Sequence, residues 1–180
     1  MNQDTFQNLP LCVADLPQLA TLEWQVLSPN YRSLTLWVDS IAILILTALW
    51  LAIWLQPFWS LPQTLSHVVW WGGLAITSGA IVNLVYDYYA IPLQAYALRQ
   101  HDLSFRSGIF FRKCVTQPIL RIQHIELKQG PLERKVGLTT LQVFSAGGAT
   151  QTFEIPGVTL ATAESIRQLI LEHKAGLRHD

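Results

Sequence analysis

Two apolar spans, Leu34–Leu55 and Leu65–Tyr86, stand nine residues apart, and the stretch between them, Gln56–Thr64, carries no charge. Such a pair leaves a chain few ways to fold. About 20 apolar residues, at 1.5 Å of rise each, cross a hydrocarbon core, and each span has 22. A helix of a soluble bundle keeps a polar stripe, whereas Ile41–Leu55 offers only Thr47. The pair therefore reads as a transmembrane helical hairpin, long enough to cross with some tilt.

Charge sets the expected direction. Eleven of the twelve Lys and Arg residues follow the second span. Residues 1–33 hold one basic residue, Arg32, against three acidic ones, while residues 91–180 hold eleven against seven. Basic residues are retained on the cytoplasmic side. Arg32 before the first span, with Arg99 and Arg106 after the second, puts both termini in the cytoplasm and the uncharged loop outside. The expected organisation is an N-terminal cytoplasmic segment over 1–33, the hairpin over 34–86 and a cytoplasmic domain over 92–176. Cys12 and Cys114 both fall on the cytoplasmic side, where a structural disulfide is not expected.

Aromatic rings mark the two interfaces, with Trp54, Trp59, Trp70 and Trp71 at the loop end and Tyr31, Trp37, Tyr86, Tyr88 and Tyr89 at the other. Pro57 and Pro62 stop helix propagation between the spans. Gly72, Ala75, Gly79 and Asn83 recur at helical spacing, and the Ala75/Gly79 step is a small-xxx-small pair suited to close helix contact. Asp39 and Asn83 fall at similar depths near the cytoplasmic face, so an interhelical clamp is expected, Asn83 donating to the Asp39 carboxyl. An intramembrane Asp can instead serve a proton relay. A relay wants further titratable groups at depth, and His67 lies near the opposite face.

From residue 94 the pattern changes to short alternating runs. Ala95–Arg99, Leu103–Arg106, Ile109–Thr116, Ile122–Lys128, Leu138–Phe144 and Gln151–Ile155 read as strands, punctuated by Ser107-Gly108, Pro118, Gly130-Pro131 and Gly147-Gly148. After Pro156-Gly157, Thr159 can cap a helix in which Leu160, Ala163, Ile166, Leu169 and Ile170 share a face, ending near Gly176. The fold class is thus a membrane α-helical hairpin followed by an α+β domain, a small barrel or sandwich covered by a C-terminal helix.

Tyr96-Ala-Leu-Arg99, Phe105-Arg-Ser-Gly108, Pro118-Ile-Leu-Arg-Ile-Gln-His124, Gly130-Pro-Leu-Glu-Arg134, Gly137-Leu138 and Ala146-Gly-Gly148 follow one another in an order that resembles the bacterial pleckstrin-homology (PH) domain of YdbS-like, membrane-flanked proteins. The likeness spans residues 30–173, including the two helices, and takes in Leu27-Ser-Pro-Asn-Tyr31. It implies a PH-like β-barrel of about seven strands capped by the C-terminal helix, at the bacterial inner membrane. It supplies no catalytic residues and no cofactor, so none is carried over.

Two groups of residues are candidates for binding. Arg99, Arg106, Arg112 and Lys113 lie on adjoining strands, close to the tether, where anionic lipid attracts each cation by about 1 kcal/mol; solvation of a barrel surface is the alternative. Arg121, Gln123, His124, Glu133 and Arg134 form a polar cluster that either contacts a partner or is structural, with Arg121 paired to Glu133 and His124 burying one ring face and hydrogen-bonding a backbone group. Only about eight residues separate Tyr86 from the first strand. They span at most roughly 26–29 Å when extended, so the domain must stay at the headgroups.

No zinc-ligand spacing, phosphate-binding Gly loop or nucleophile elbow is present, and catalysis is not expected. The modest basic surplus without a stacking platform argues against nucleic acid. What remains is a non-enzymatic scaffold for protein partners at the envelope, among them related PH-domain membrane proteins or a second copy of the chain. Sensing of anionic headgroups and service as an accessory subunit of a transport complex are the alternatives.

Overall fold

The computed structural model describes residues 23–56, 62–145 and 152–176. Cys12, Pro57, Trp59 and the expected Gly147-Gly148 turn lie outside them.

Two helices carry the apolar spans: α1 (Pro29–Leu55) and α2 (Gln63–Ala90). Pro29 opens α1, a position where a missing N–H costs nothing. No residue of α1 is buried, and in α2 only Thr77 and Ala90 are. Leu, Ile and Trp side chains thus stand bare along both helices, an arrangement that hydrocarbon tolerates and water does not.

The helices meet through Gly73, not through the expected Ala75/Gly79 pair. A β-carbon on Gly73 would run into the Trp50 ring, whereas Gly72 and Gly79 have nothing within 4 Å. The Trp50 indole N–H donates to the Val69 carbonyl at 3.0 Å. Trp50 and Trp54 each stand 5.1 Å from Trp70. One turn beyond Gly73, Thr77 is buried and returns its hydroxyl to the Gly73 carbonyl at 2.9 Å. The close approach is dictated by an indole that needs a gap, and that gap lies off the line of the small-residue stripe, since neighbouring residues point about 100° apart on a helix.

Beyond the hairpin the chain builds two antiparallel sheets. The first runs in the order β1 (Gln25–Val26), β2 (Ala95–Leu98), β3 (Asp102–Ser107), β4 (Lys113–Pro118). The second is β5 (Ile122–Lys128), β6 (Leu138–Ser145), β7 (Phe153–Thr159), with a short helix α3 (Pro131–Lys135) between β5 and β6. Helix α4 (Leu160–Gly176) closes the domain. The seven strands among the described residues match the expected number, but β4 and β5 are sheet edges that do not bond to each other. The barrel is half-open.

Two expected strands are corrected. The run Ile109–Thr116 is not one strand: β4 starts only at Lys113, and Ile109–Arg112 form a turn. Apolar content favours a strand there, but the side chains have no sheet to pack on. Conversely β7 does not stop at Ile155. It continues through Pro156 and Gly157, where a φ of +65° and a register shift opposite Thr139 absorb the irregularity.

The core joins both sheets to α4. Leu103, Ile119, Leu141, Ile155, Ala163, Ile166 and Ile170 are buried in one cluster, each large apolar side chain worth about 1.5–3 kcal/mol. The Thr159 hydroxyl accepts the Thr162 N–H at 3.3 Å, the expected cap. Leu160 and Leu169, expected on the buried face, are instead exposed; Ala163, Ile166 and Ile170 alone fill the width the sheets offer.

The hairpin is spliced into the first sheet rather than placed ahead of it. Val26 pairs with Ala95 and Gln25 with Tyr96, so both helices lie between β1 and β2. Residues 25–27, expected in the N-terminal segment, belong to the domain, with Leu27 in its core. The Ser28 N–H donates to the Gly157 carbonyl at 3.1 Å, and the Tyr31 ring occupies the space a β-carbon on Gly157 would need. At the other foot, Ala90 and Ile91 are buried, and the helical path continues through a tight turn at Ile91–Leu93 almost to β2. The connection, bounded at roughly 26–29 Å if extended, is thus a shorter, mostly helical step.

Gly73→Ala should lower the melting temperature of the detergent-solubilised chain, read by tryptophan fluorescence, by an overpacking cost of about 1–3 kcal/mol. Gly79→Ala should be neutral or slightly stabilising. Equal destabilisation by both would contradict the Gly73 contact.

Candidate functional site

The first sheet has one end at the feet of the hairpin. Val26, Ala95, Arg106 and Cys114 lie in register across it, three residues before α1 begins and five after α2 ends. The β3–β4 turn leaves the sheet at this end. Its sharp reversal uses Gly108, at a φ of +97°, where a β-carbon would collide with the Phe111 carbonyl. Phe110 and Phe111 project from it, 83% and 94% exposed. Beneath them, Trp24, Leu93, Arg106, Arg112 and Lys113 surround an open cleft of about 560 Å³. The Arg106 guanidinium lies over the Trp24 ring, 4.6 Å from its centroid.

Three of the four expected lipid-facing cations therefore converge. Arg99 does not join them. It sits at the opposite end of the β2–β3 hairpin, 4.0 Å from Asp102; at about 3.4 Å per residue, the length of β3 puts it roughly 17 Å from the Lys113 end. Trp24 and the Phe110–Phe111 pair are not among the candidates that sequence reasoning supplies. Trp24 precedes the spans and carries no pattern of its own, and two adjacent phenylalanines have the composition of a strand interior.

The polar cluster is likewise divided. Arg121, Gln123 and His124 stand at the start of β5, whereas Glu133 and Arg134 lie on α3, beyond its far end. The expected Arg121–Glu133 pair is replaced. One Glu133 oxygen accepts the Gly130 N–H at 2.7 Å and the other the Thr140 hydroxyl at 3.1 Å. Gly130-Pro131-Leu132-Glu133 is thus a helix start, its carboxylate reaching back to a free backbone donor. His124 does cover one ring face, stacked on Phe144 at 4.2 Å, but its Nε2 lies 3.4 Å from the Glu126 carboxylate and not on the expected backbone group. Gln123 occupies a bulge whose carbonyl, with that of Ile122, accepts the Lys174 ammonium of α4.

The Asp39–Asn83 clamp is not formed. Asn83 donates to Asp87 at 3.1 Å on its own helix, and one Asp39 carboxyl oxygen is buried without a hydrogen-bond partner. The reason is length. α2 runs past Tyr86, which brings Asp87 onto the face of Asn83 one turn on and closer to the foot. Arg32 lies over the Tyr88 ring at 4.2 Å, tying the two helix ends together. Within the domain, burial pushes the Tyr96 phenol above its ordinary pKa.

Glu133→Ala leaves the Gly130 N–H and the Thr140 hydroxyl without their acceptor and should cost about 2–3 kcal/mol in a denaturant or thermal melt, since hydrogen bonds to a charged group are the strong ones. Glu133→Gln should retain part of that. Arg121→Ala should change stability by less than about 0.5 kcal/mol; a loss as large as that of Glu133→Ala would restore the Arg121–Glu133 ion pair.

Comparison with known proteins adds a family. The model for the bacterial PH domain matches residues 14–174. The UPF0699 transmembrane protein YdbS of Bacillus subtilis (strain 168) is 32% identical over 75 residues, 42% of this chain and 45% of that protein. The chain thus aligns with about half the length of that relative. No solved structure matches. Because the matched region takes in both lipid-length helices, both sheets and nearly all of α4, this membrane protein belongs to the bacterial PH domain family, with YdbS-like proteins among its relatives.

Proposed function

We propose that this chain is a binding module of the cell envelope, a scaffold that presents its PH-like domain to protein partners at the cytoplasmic leaflet of the inner membrane. The observation that carries the reading is the splice: β1 and β2 receive the two helix feet directly, with Leu27 and Ile91 buried on either side. A domain mounted without slack fixes which of its surfaces point along the membrane, and that serves docking. The excess of Lys and Arg after the second span supports the cytoplasmic placement.

The edge of β5 is the surface best suited to a partner. It bonds only to β6, and Gln123, His124 and Glu126 are exposed along it. An edge strand can accept a strand from another chain, with His124 and the Phe144 ring beside it as side-chain contacts. The related PH-domain membrane proteins of the same envelope are the partners this reading favours.

A photoreactive residue at Gln123 or Glu126 of the full chain, irradiated in native membranes, should give discrete adducts with other membrane proteins. The same residue at Glu172, on the exposed side of α4, should give none. Adducts from all three positions alike, or from none, would contradict the scaffold reading.

A further inference from the structure

Phe110 and Phe111 lie outside the buried core. Among the described residues no large apolar side chain is as exposed, not even those on the lipid-facing helices. The pair caps a turn whose geometry is enforced by Gly108, so it is presented rather than loosely held. An exposed aromatic pair alone would say nothing about what covers it. Its place in the fold does.

The turn leaves the sheet at the row Val26–Ala95–Arg106–Cys114, where both helices attach. Leu93, the last residue of the step from α2, forms a wall of the same cleft as Gly108 and Arg112. The surface is therefore continuous with the membrane-spanning hairpin. Its chemistry suits a bilayer edge. Arg106, Arg112 and Lys113 flank the phenylalanines, no acidic residue occurs between Phe105 and Thr116, and Trp24 lies under Arg106. Apolar rings pointing inward, an indole at the interface and cations at phosphate level make up the pattern of an interfacial anchor.

We propose that the β3–β4 turn is a membrane wedge: Phe110 and Phe111 enter the leaflet at which the hairpin ends, and Arg106, Arg112 and Lys113 lie among its phosphates. The domain then has three supports, the feet of α1 and α2 and the turn. This rests on the membrane assignment and not on the scaffold reading; adducts at β5 and immersion at Phe111 are read independently.

The test is the depth of a spin label. In the full chain with Cys12→Ser and Cys114→Ser, single cysteines replace Phe111, Leu44 in the middle of α1, or Gln100 at the far turn. Each is labelled with a nitroxide and reconstituted, one chain per nanodisc, in phosphatidylcholine with phosphatidylglycerol. The Phe111→Cys label should collide with oxygen and be shielded from a water-soluble nickel chelate, as at Leu44, at a depth of about 5–10 Å below the phosphates. Gln100→Cys should remain open to the chelate. Replacing Arg106, Arg112 and Lys113 together by Gln should make the Phe111→Cys label shallower. Accessibility at Phe111→Cys equal to that at Gln100→Cys would overturn the proposal, and so would shielding from both oxygen and chelate, which would mean that protein covers the turn. Because both phenylalanines are solvent-exposed, loss of the fold does not confound the result, and Phe110→Cys provides an independent reading.

Discussion

Everything in this structure hangs on the joint between the foot of α1 and β7. Ser28 gives its N–H to the Gly157 carbonyl, Leu27 enters the core just before it, and Tyr31 lays its ring where Gly157 has no β-carbon. A membrane helix usually reaches its soluble domain through a linker, and relative motion is then the default. Here the chain has no residue to spare. Strand β1 ends at Val26 and α1 begins at Pro29, so the direction of the helix and the direction of the sheet are determined together. Gly157 answers two demands at once: a positive φ in the middle of a strand, and room for a neighbouring ring.

This joint turns a topological detail into a mechanical one. With β1 and β2 adjacent and both helices between them, any tilt of the hairpin is a tilt of the first sheet. The cations and rings at that end of the sheet are consequently held beside the feet of the hairpin by covalent geometry. Arg99 is held at the opposite end of the β2–β3 hairpin by the same geometry. The open seam between β4 and β5, unusual for a barrel, leaves two edges free on a domain whose orientation is already decided.

Much of this is legible in the residues. Long uninterrupted apolarity announces a membrane helix because lipid asks only for length and lack of charge, and both spans are helical in the structure. Strands β2, β3, β5 and β6 and the Thr159 cap follow from local chemistry and are likewise visible. What is not visible depends on contacts between distant residues. Two-residue β1 has no periodicity to detect. The contact face of α2 differs from the small-residue stripe because small residues mark where helices can approach, while the place where they do is chosen by Trp50. Charge alone pairs Glu133 with Arg121, whereas a backbone N–H three residues away and the Thr140 hydroxyl are better placed. The Phe110–Phe111 turn has the composition of a strand because apolar residues are presumed to be inside. That presumption fails at this turn, where both rings are exposed.

The central claim is that hairpin and domain are one rigid body. Pulsed electron–electron distance measurement tests it most directly, with nitroxides at Ser33→Cys in the foot of α1 and Gln100→Cys at the far end of the first sheet, in the full chain lacking Cys12 and Cys114 and held in nanodiscs. The account predicts one narrow distance distribution, which broadens when Gly157→Leu drives Tyr31 out of its seat. A broad distribution in the chain with Gly157 intact would contradict it.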